Sequence, residues 1–102
     1  MEKFKIIRSD SAENDLKEIL MFIALNNSPE VALKILTEFE EAVMQLQLLP
    51  FSGSPQKFTY RKKHNYRFLV VENYLVYYHT DDVTKTVYID RIKHGAMLPQ
   101  NV

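Results

Sequence analysis

The sequence predicts an α+β domain in which one strand, an antiparallel helical hairpin and a three-stranded antiparallel meander follow one another. Three observations carry the prediction. Apolar residues recur at helical spacing from Ala12 to Leu49, with one break at "NNSPE". From Tyr66 onward the pattern changes to β-branched and aromatic runs. Those runs are joined by links short enough for hairpin turns. One sheet results, with the helical hairpin packed on one of its faces.

Each element follows from its residues. "KFKII" (3–7) is short, partly alternating and β-branched at its end, which suits a strand. Ser9, Asp10 and Ser11 then offer capping oxygens. Ala12, Leu16, Ile19, Leu20 and Ile23 form one stripe of a first helix. In "NNSPE" Ser28 caps a second helix, Pro29 suits its first turn, and Glu30 favours the positive helix end. That helix lines up Ala32, Ile35, Leu36, Phe39, Ala42, Val43, Leu46 and Leu49, and the two stripes pack together as core. Pro50, Gly53 and Pro55 of "LPFSGSP" end it. "YRFLVV" (66–71) and "YLVYYH" (74–79) are separated only by Glu72-Asn73, and "TDDVT" leads to a last strand, "KTVYIDRIK" (85–93).

The chain's 102 residues make one domain, 1–102, with no repeat or low-complexity tract. Hydrophobic residues at 46% and charged residues at 25% are globular values. The absence of cysteine excludes disulfides, thiol catalysis and cysteine-bound zinc. His64, His79 and His94 show no ligand spacing, so neither a metal nor a cofactor is expected. No signal-peptide core or spanning apolar run is visible, so a soluble cytoplasmic protein with no membrane partner is expected.

A formal charge of zero hides a polarity. Residues 1–50 carry five Lys/Arg against nine Asp/Glu, and residues 51–102 carry eight against four, with all three histidines. The basic half suits an anionic partner, although a solvated polar surface is the simpler reading of charge alone. Its densest stretch is "YRKKHNYR" (60–67). Alternation places Tyr66, Phe68 and Val70 on one sheet face and Arg67, Leu69 and Val71 on the other. By the same rule Val87, Ile89 and Arg91 share one face and Tyr88, Asp90 and Ile92 the opposite one. Helices cover only one face, which leaves a partly apolar, partly cationic, tyrosine-bearing surface as the expected binding face.

"SAENDLKEILMFIA", "LPFSGSP", "YRFLVVENYLVYY" and "VYIDRIKHGA" together resemble the RelE/ParE superfamily, the toxin partners of bacterial type II toxin–antitoxin pairs. The resemblance covers about residues 4–96. It rests on Ala12, Asp15 and Leu16, on Pro50 and Gly53, on Tyr66-Arg67 opening a strand, on "YLVYY", and on Arg-Ile-x-His-Gly ending at Gly95. It implies a toxin wrapped by a cognate antitoxin protein as a hetero-oligomer. The target is left open, because some relatives cut messenger RNA on the ribosome and others disable DNA gyrase.

Metal-free RNA cleavage needs a base, cations on the phosphorane and an acid for the leaving oxygen. His94 suits base or acid, Arg67 and Arg91 a phosphate clamp, and Tyr78 a stacking or donating role, so these four are the catalytic candidates. Arg61, Lys62, Lys63, His64 and Lys93 are the candidates for holding RNA or another anion. Each has a plainer reading: an exposed histidine, arginines paired with Asp90 or Glu72, solvated turn lysines, a core tyrosine. The chain also departs from both branches. RNA-cutting relatives resemble one another in an arginine where Leu75 stands, and gyrase-directed ones in an Arg and Asp after the His, absent from "HGAMLP". A ribosome-dependent mRNA endoribonuclease ranks narrowly first. The alternatives are a gyrase inhibitor and a non-toxic relative that keeps only antitoxin binding.

Overall fold

The computed structural model describes residues 3–55 and 65–95. Its elements are β1 (Lys5–Arg8), α1 (Asp10–Asn26), α2 (Pro29–Gln45), β2 (Ser54–Pro55), β3 (Asn65–Val71), β4 (Tyr74–Asp81) and β5 (Thr86–His94). They form one five-stranded sheet in the order β1-β5-β4-β3-β2, antiparallel except for the parallel β1–β5 pair. The α+β prediction holds, with two additions: the two-residue strand β2, and the pairing of the first strand beside the last.

Both helices start where a serine caps them. The Ser9 side chain accepts from the Ala12 N–H, and the Ser28 side chain from the Val31 N–H, satisfying donors that the first turn leaves unpaired. Asp10, Glu13 and Glu30 lie in those first turns, where the helix dipole favours negative charge. The second helix stops at Gln45, four residues short of Leu49, so Leu49 is 57% exposed and not part of the core stripe. No helix among the described residues is long and apolar enough to cross a membrane.

The helical hairpin covers one sheet face, α1 against β5 and α2 against β3. Ala12, Leu16, Ile35, Phe39, Val43 and Leu46 meet Val71, Val76, Tyr78, Val87, Ile89 and Ile92 there. One sequence expectation fails inside β5. Tyr77 pairs with Arg91 and Tyr78 with Ile89, so Asp90 is an extra residue, a bulge. The alternation slips by one at that point. Ile92 is therefore buried on the helix side with Val87 and Ile89, and not on the face of Tyr88.

Candidate functional site

β1 pairs with only the first four residues of β5. Among the described residues no strand lies beside the outer edge of β5 past Ile89, and α1 lies there. Two side chains of the α1 region satisfy this edge. The Ser9 hydroxyl donates to the Asp90 carbonyl (2.9 Å), and Asp15 Oδ2 accepts from the Ile92 N–H (3.0 Å). Asp15 also receives Nε and Nη2 of Arg91, at 2.7 and 3.1 Å, a two-pronged ion pair. Burial pushes the Asp15 carboxyl up, but the Arg91 hydrogen bond, the Ile92 N–H and the charges of Arg91 and Lys93 outweigh it, so the net shift is downward.

Between α1 and this half of β5 opens a cavity of about 380 Å³. Asp15, Glu18, Ile19 and Phe22 form its α1 wall, and Arg91, Ile92, Lys93 and His94 its β5 wall, with Tyr74 of β4 at one end. The His94 ring meets Tyr74 edge-on, 5.2 Å between centroids. Phe22 is 63% exposed at the rim. Of the five candidate residues that are described, three come together here: Arg91, Lys93 and His94.

Arg67 and Tyr78 belong elsewhere. They pair across β3 and β4 near the Pro50–Gly53 turn, whereas His94 pairs with Tyr74, four residues back along β4. At strand rise that separates them by roughly 13 Å. Tyr78 is fully buried. Its hydroxyl accepts from the Gly53 N–H (2.9 Å) and donates to the Pro50 carbonyl (3.0 Å). A ring with no exposed face has none to offer a base, so Tyr78 is corrected from a stacking or donating catalytic residue to a core strut. Burial raises its phenol, against the opposing pull of the Gly53 N–H and the Arg67 charge. Arg67 donates to the Gly53 carbonyl at 2.7 Å and lies over the Phe51 ring, 5.6 Å from its centroid. Gly53 is required by this crowding: a Cβ there would stand 2.6 Å from the Tyr78 hydroxyl and 2.7 Å from the Phe68 carbonyl oxygen.

The sheet face opposite the helices is tyrosine-lined, as expected. Tyr66, His79, Tyr88 and Ile7 stand in one row across four strands. The His79 ring is stacked on Tyr88 (4.9 Å, 15°) and tilted against Tyr66 (5.2 Å), while Asp90 holds its Nδ1 at 2.8 Å. These rings turn their faces to each other. Arg67, on the opposite face from Tyr66 as alternation predicts, and Arg91, which reaches Asp15, add no charge to the row. Arg61, Lys62, Lys63 and His64 lie outside the described residues.

Sequence reasoning missed Asp15 as the partner of Arg91, having offered Asp90 or Glu72. It also missed the Asp90–His79 pair and Arg8, which bonds Glu40 (2.6 Å) and Glu13 (3.3 Å). The Asp15–Arg91 contact spans 76 residues, and no local pattern announces it. Among the described residues no three His, Cys, Asp or Glu side chains cluster as metal ligands.

This architecture has solved counterparts. A chain of the chromosomal ParDE TA system from P. aeruginosa matches with a TM-score of 0.72 at 22% identity, over 90% of this chain and 96% of that one. A chain of the toxin–antitoxin complex RelBE from Mycobacterium tuberculosis matches at 0.61 and 21% identity, over 92% and 93%. One of the archaeal RelE–RelB complex from Pyrococcus horikoshii matches at 0.59 and 11% identity, over 94% and 99%. No curated protein matches the chain. At these identities the neighbours define the class by fold: a helical hairpin on one sheet, shared with chains of toxin–antitoxin systems. Sequence then sets the family. The model of the ParE toxin of type II toxin–antitoxin system, parDE, matches residues 6–99, and the chain belongs to that family.

Proposed function

We propose that this chain is a growth-inhibiting toxin kept silent by a cognate antitoxin protein, and that it acts by binding DNA gyrase and not by cutting RNA. One observation carries the choice of target. The groups that nuclease chemistry would need together are divided, with Arg67 and Tyr78 locked into the Pro50–Gly53 turn and Arg91 and His94 flanking the α1–β5 cavity. A phosphate clamp demands both arginines within bonding reach of one phosphate, whereas Arg67 is turned to the Gly53 carbonyl and Arg91, two strands away, is paired with Asp15. Membership of the ParE family supports the same reading. This reverses the order in which the sequence ranked the two targets.

A ribosome-dependent mRNA endoribonuclease is the second reading, favoured by His94 standing beside Lys93 and Arg91 in one cavity. It would use His94 as base or acid with those cations on the phosphate.

Inducing the chain alone in bacteria separates these readings. Gyrase poisoning predicts a DNA-damage response and, with purified gyrase, accumulated cleaved DNA, with messenger 5′ ends unchanged. Cuts within translated codons would replace it with the nuclease. Undisturbed growth would leave a non-toxic relative. The antitoxin half is tested by co-purification with the product of a short neighbouring open reading frame.

A further inference from the structure

The helical hairpin carries an apolar surface that its own sheet does not use. From Ile19 to Pro29 the chain runs eleven residues without a charge. Ile19, Leu20 and Ile23 pack against the core, yet Met21 and Leu25 are 57% and 81% exposed, and Leu33 across the hairpin is 64% exposed. A helix end that is apolar on every side is suited to being covered on every side. Among these residues lies a pit of about 320 Å³, lined by Leu20, Met21 and Ala24 of α1 and by Ala32, Leu33 and Leu36 of α2. Only helix residues line it, so it opens on the side that the sheet leaves free. Projecting side chains and a pit therefore share one face.

The spacing on this face fits a copy of itself. Two hairpins can lie face to face about a two-fold axis that runs between them at right angles to the helices. α1 then opposes α1 and α2 opposes α2, each pair antiparallel, and residues equally far on either side of the axis meet. Met21 and Leu25 are centred on position 23, and Glu30 and Lys34 on position 32. Positions 23 and 32 are level, each three residues into its helix from the connecting turn. One axis therefore serves both pairs: Met21 meets Leu25 of the other copy and Glu30 meets its Lys34, each contact occurring twice. Leu33 stands beside the axis, where the small Ala24 and Ala32 leave the pit to receive it. The overlap takes in only 20–26 and 29–35, and its only charges are Glu30 and Lys34. Lys17, Glu18, Glu38, Glu40 and Glu41 fall outside it, so no like charges are brought together. We infer that the tips of two hairpins pack across this axis, making the chain a weak, concentration-dependent dimer. Its apolar face amounts to roughly 500 Å² per copy, about 1,000 Å² for the pair, at the low end of specific interfaces. Any apolar partner could enter the pit, but the Glu30–Lys34 spacing is answered by the same helix reversed. The inference is independent of the target of the toxin.

Sedimentation equilibrium of the purified full-length chain should show monomer and dimer exchanging with concentration. Leu33→Glu, which sets two carboxylates beside the axis, should weaken association by about tenfold or more, and Leu25→Glu should act likewise. Circular dichroism checks that each variant still folds. Glu30→Lys and Lys34→Glu should each weaken the dimer, and the two together should restore it, since the pairing is then reversed but complete. The chain has no cysteine, so under mild oxidation Leu33→Cys should link two copies. Val83→Cys, 93% exposed in the turn between β4 and β5, should link them far more slowly. A monomer at every concentration, association indifferent to Leu33→Glu, a double exchange that fails to restore it, or equally fast linking through Val83→Cys would each overturn the dimer. So would a hairpin face that becomes shielded only when a different polypeptide binds.

Discussion

Arginine and tyrosine occur together at both ends of the sheet, and their surroundings give them opposite employment. Near the Pro50–Gly53 turn, the Tyr78 hydroxyl and one guanidinium nitrogen of Arg67 bond backbone groups of the loop that follows α2. Beside α1, Arg91 meets a carboxylate at the surface, with Tyr74, Lys93 and His94 bordering open space. Residue type alone does not mark a site. What separates the two ends is whether the backbone nearby already has partners. An irregular turn draws polar side chains inward, and a strand edge capped by one carboxylate leaves its other neighbours facing outward.

If that contrast is right, damage at the turn should unfold the chain and damage at the cavity should not. Gly53→Ala carries the largest expected loss, about 3 kcal/mol, because one of the atoms its Cβ meets is the Phe68 backbone oxygen, which cannot swing away. Urea unfolding measures it, and a loss under about 1 kcal/mol would mean that the turn is looser than described. Tyr78→Phe should cost about 2 kcal/mol by leaving the Gly53 N–H and Pro50 carbonyl unsatisfied in a buried place.

Asp15→Asn should cost about 1 kcal/mol, since Asp15 is only 15% exposed but Arg91 is 46% exposed and well screened. Its pH signature sharpens the test. The folded carboxyl titrates below its unfolded value of about 3.9. Its stabilising share is therefore complete above that pH and is lost as pH falls through the lower folded value. The wild type should lose stability on that acid limb, and the Asn variant should lose less. Wild type and variant falling in parallel would remove Asp15 as the cause. Smallest of all, Lys93→Ala and His94→Ala should stay within about 0.5 kcal/mol of wild type. A larger loss from either would make the cavity a structural element like the turn.

Most of the fold was legible because its signals are local. The helices follow from spacing and from Ser9 and Ser28, and the β3–β4 hairpin from two runs separated by Glu72-Asn73. β2 was not legible, since two residues carry no periodicity. Nor was the parallel β1–β5 pairing, which joins residues about eighty apart without any local mark. The site was half legible. "DRIKH" announced cations and an imidazole, and they do share one cavity. Alternation failed at Asp90, because a single inserted residue inverts everything after it, so that Ile92 became core. Tyr78 was misassigned since a buried strut and a stacking platform look identical in sequence.

Among the described strands, the first finds its neighbour in the last. Lys5–Arg8 lies against Thr86–Ile89, and Ser9 and Asp15 close the edge of Asp90–Ile92. During synthesis β1 must therefore wait, with two edge-capping side chains beside it idle, until β5, about eighty residues further on, has emerged. A fragment released before β5 lacks one wall of the cavity and the edge that Ser9 and Asp15 close, so a potentially harmful activity would be confined by topology alone to chains that have reached β5.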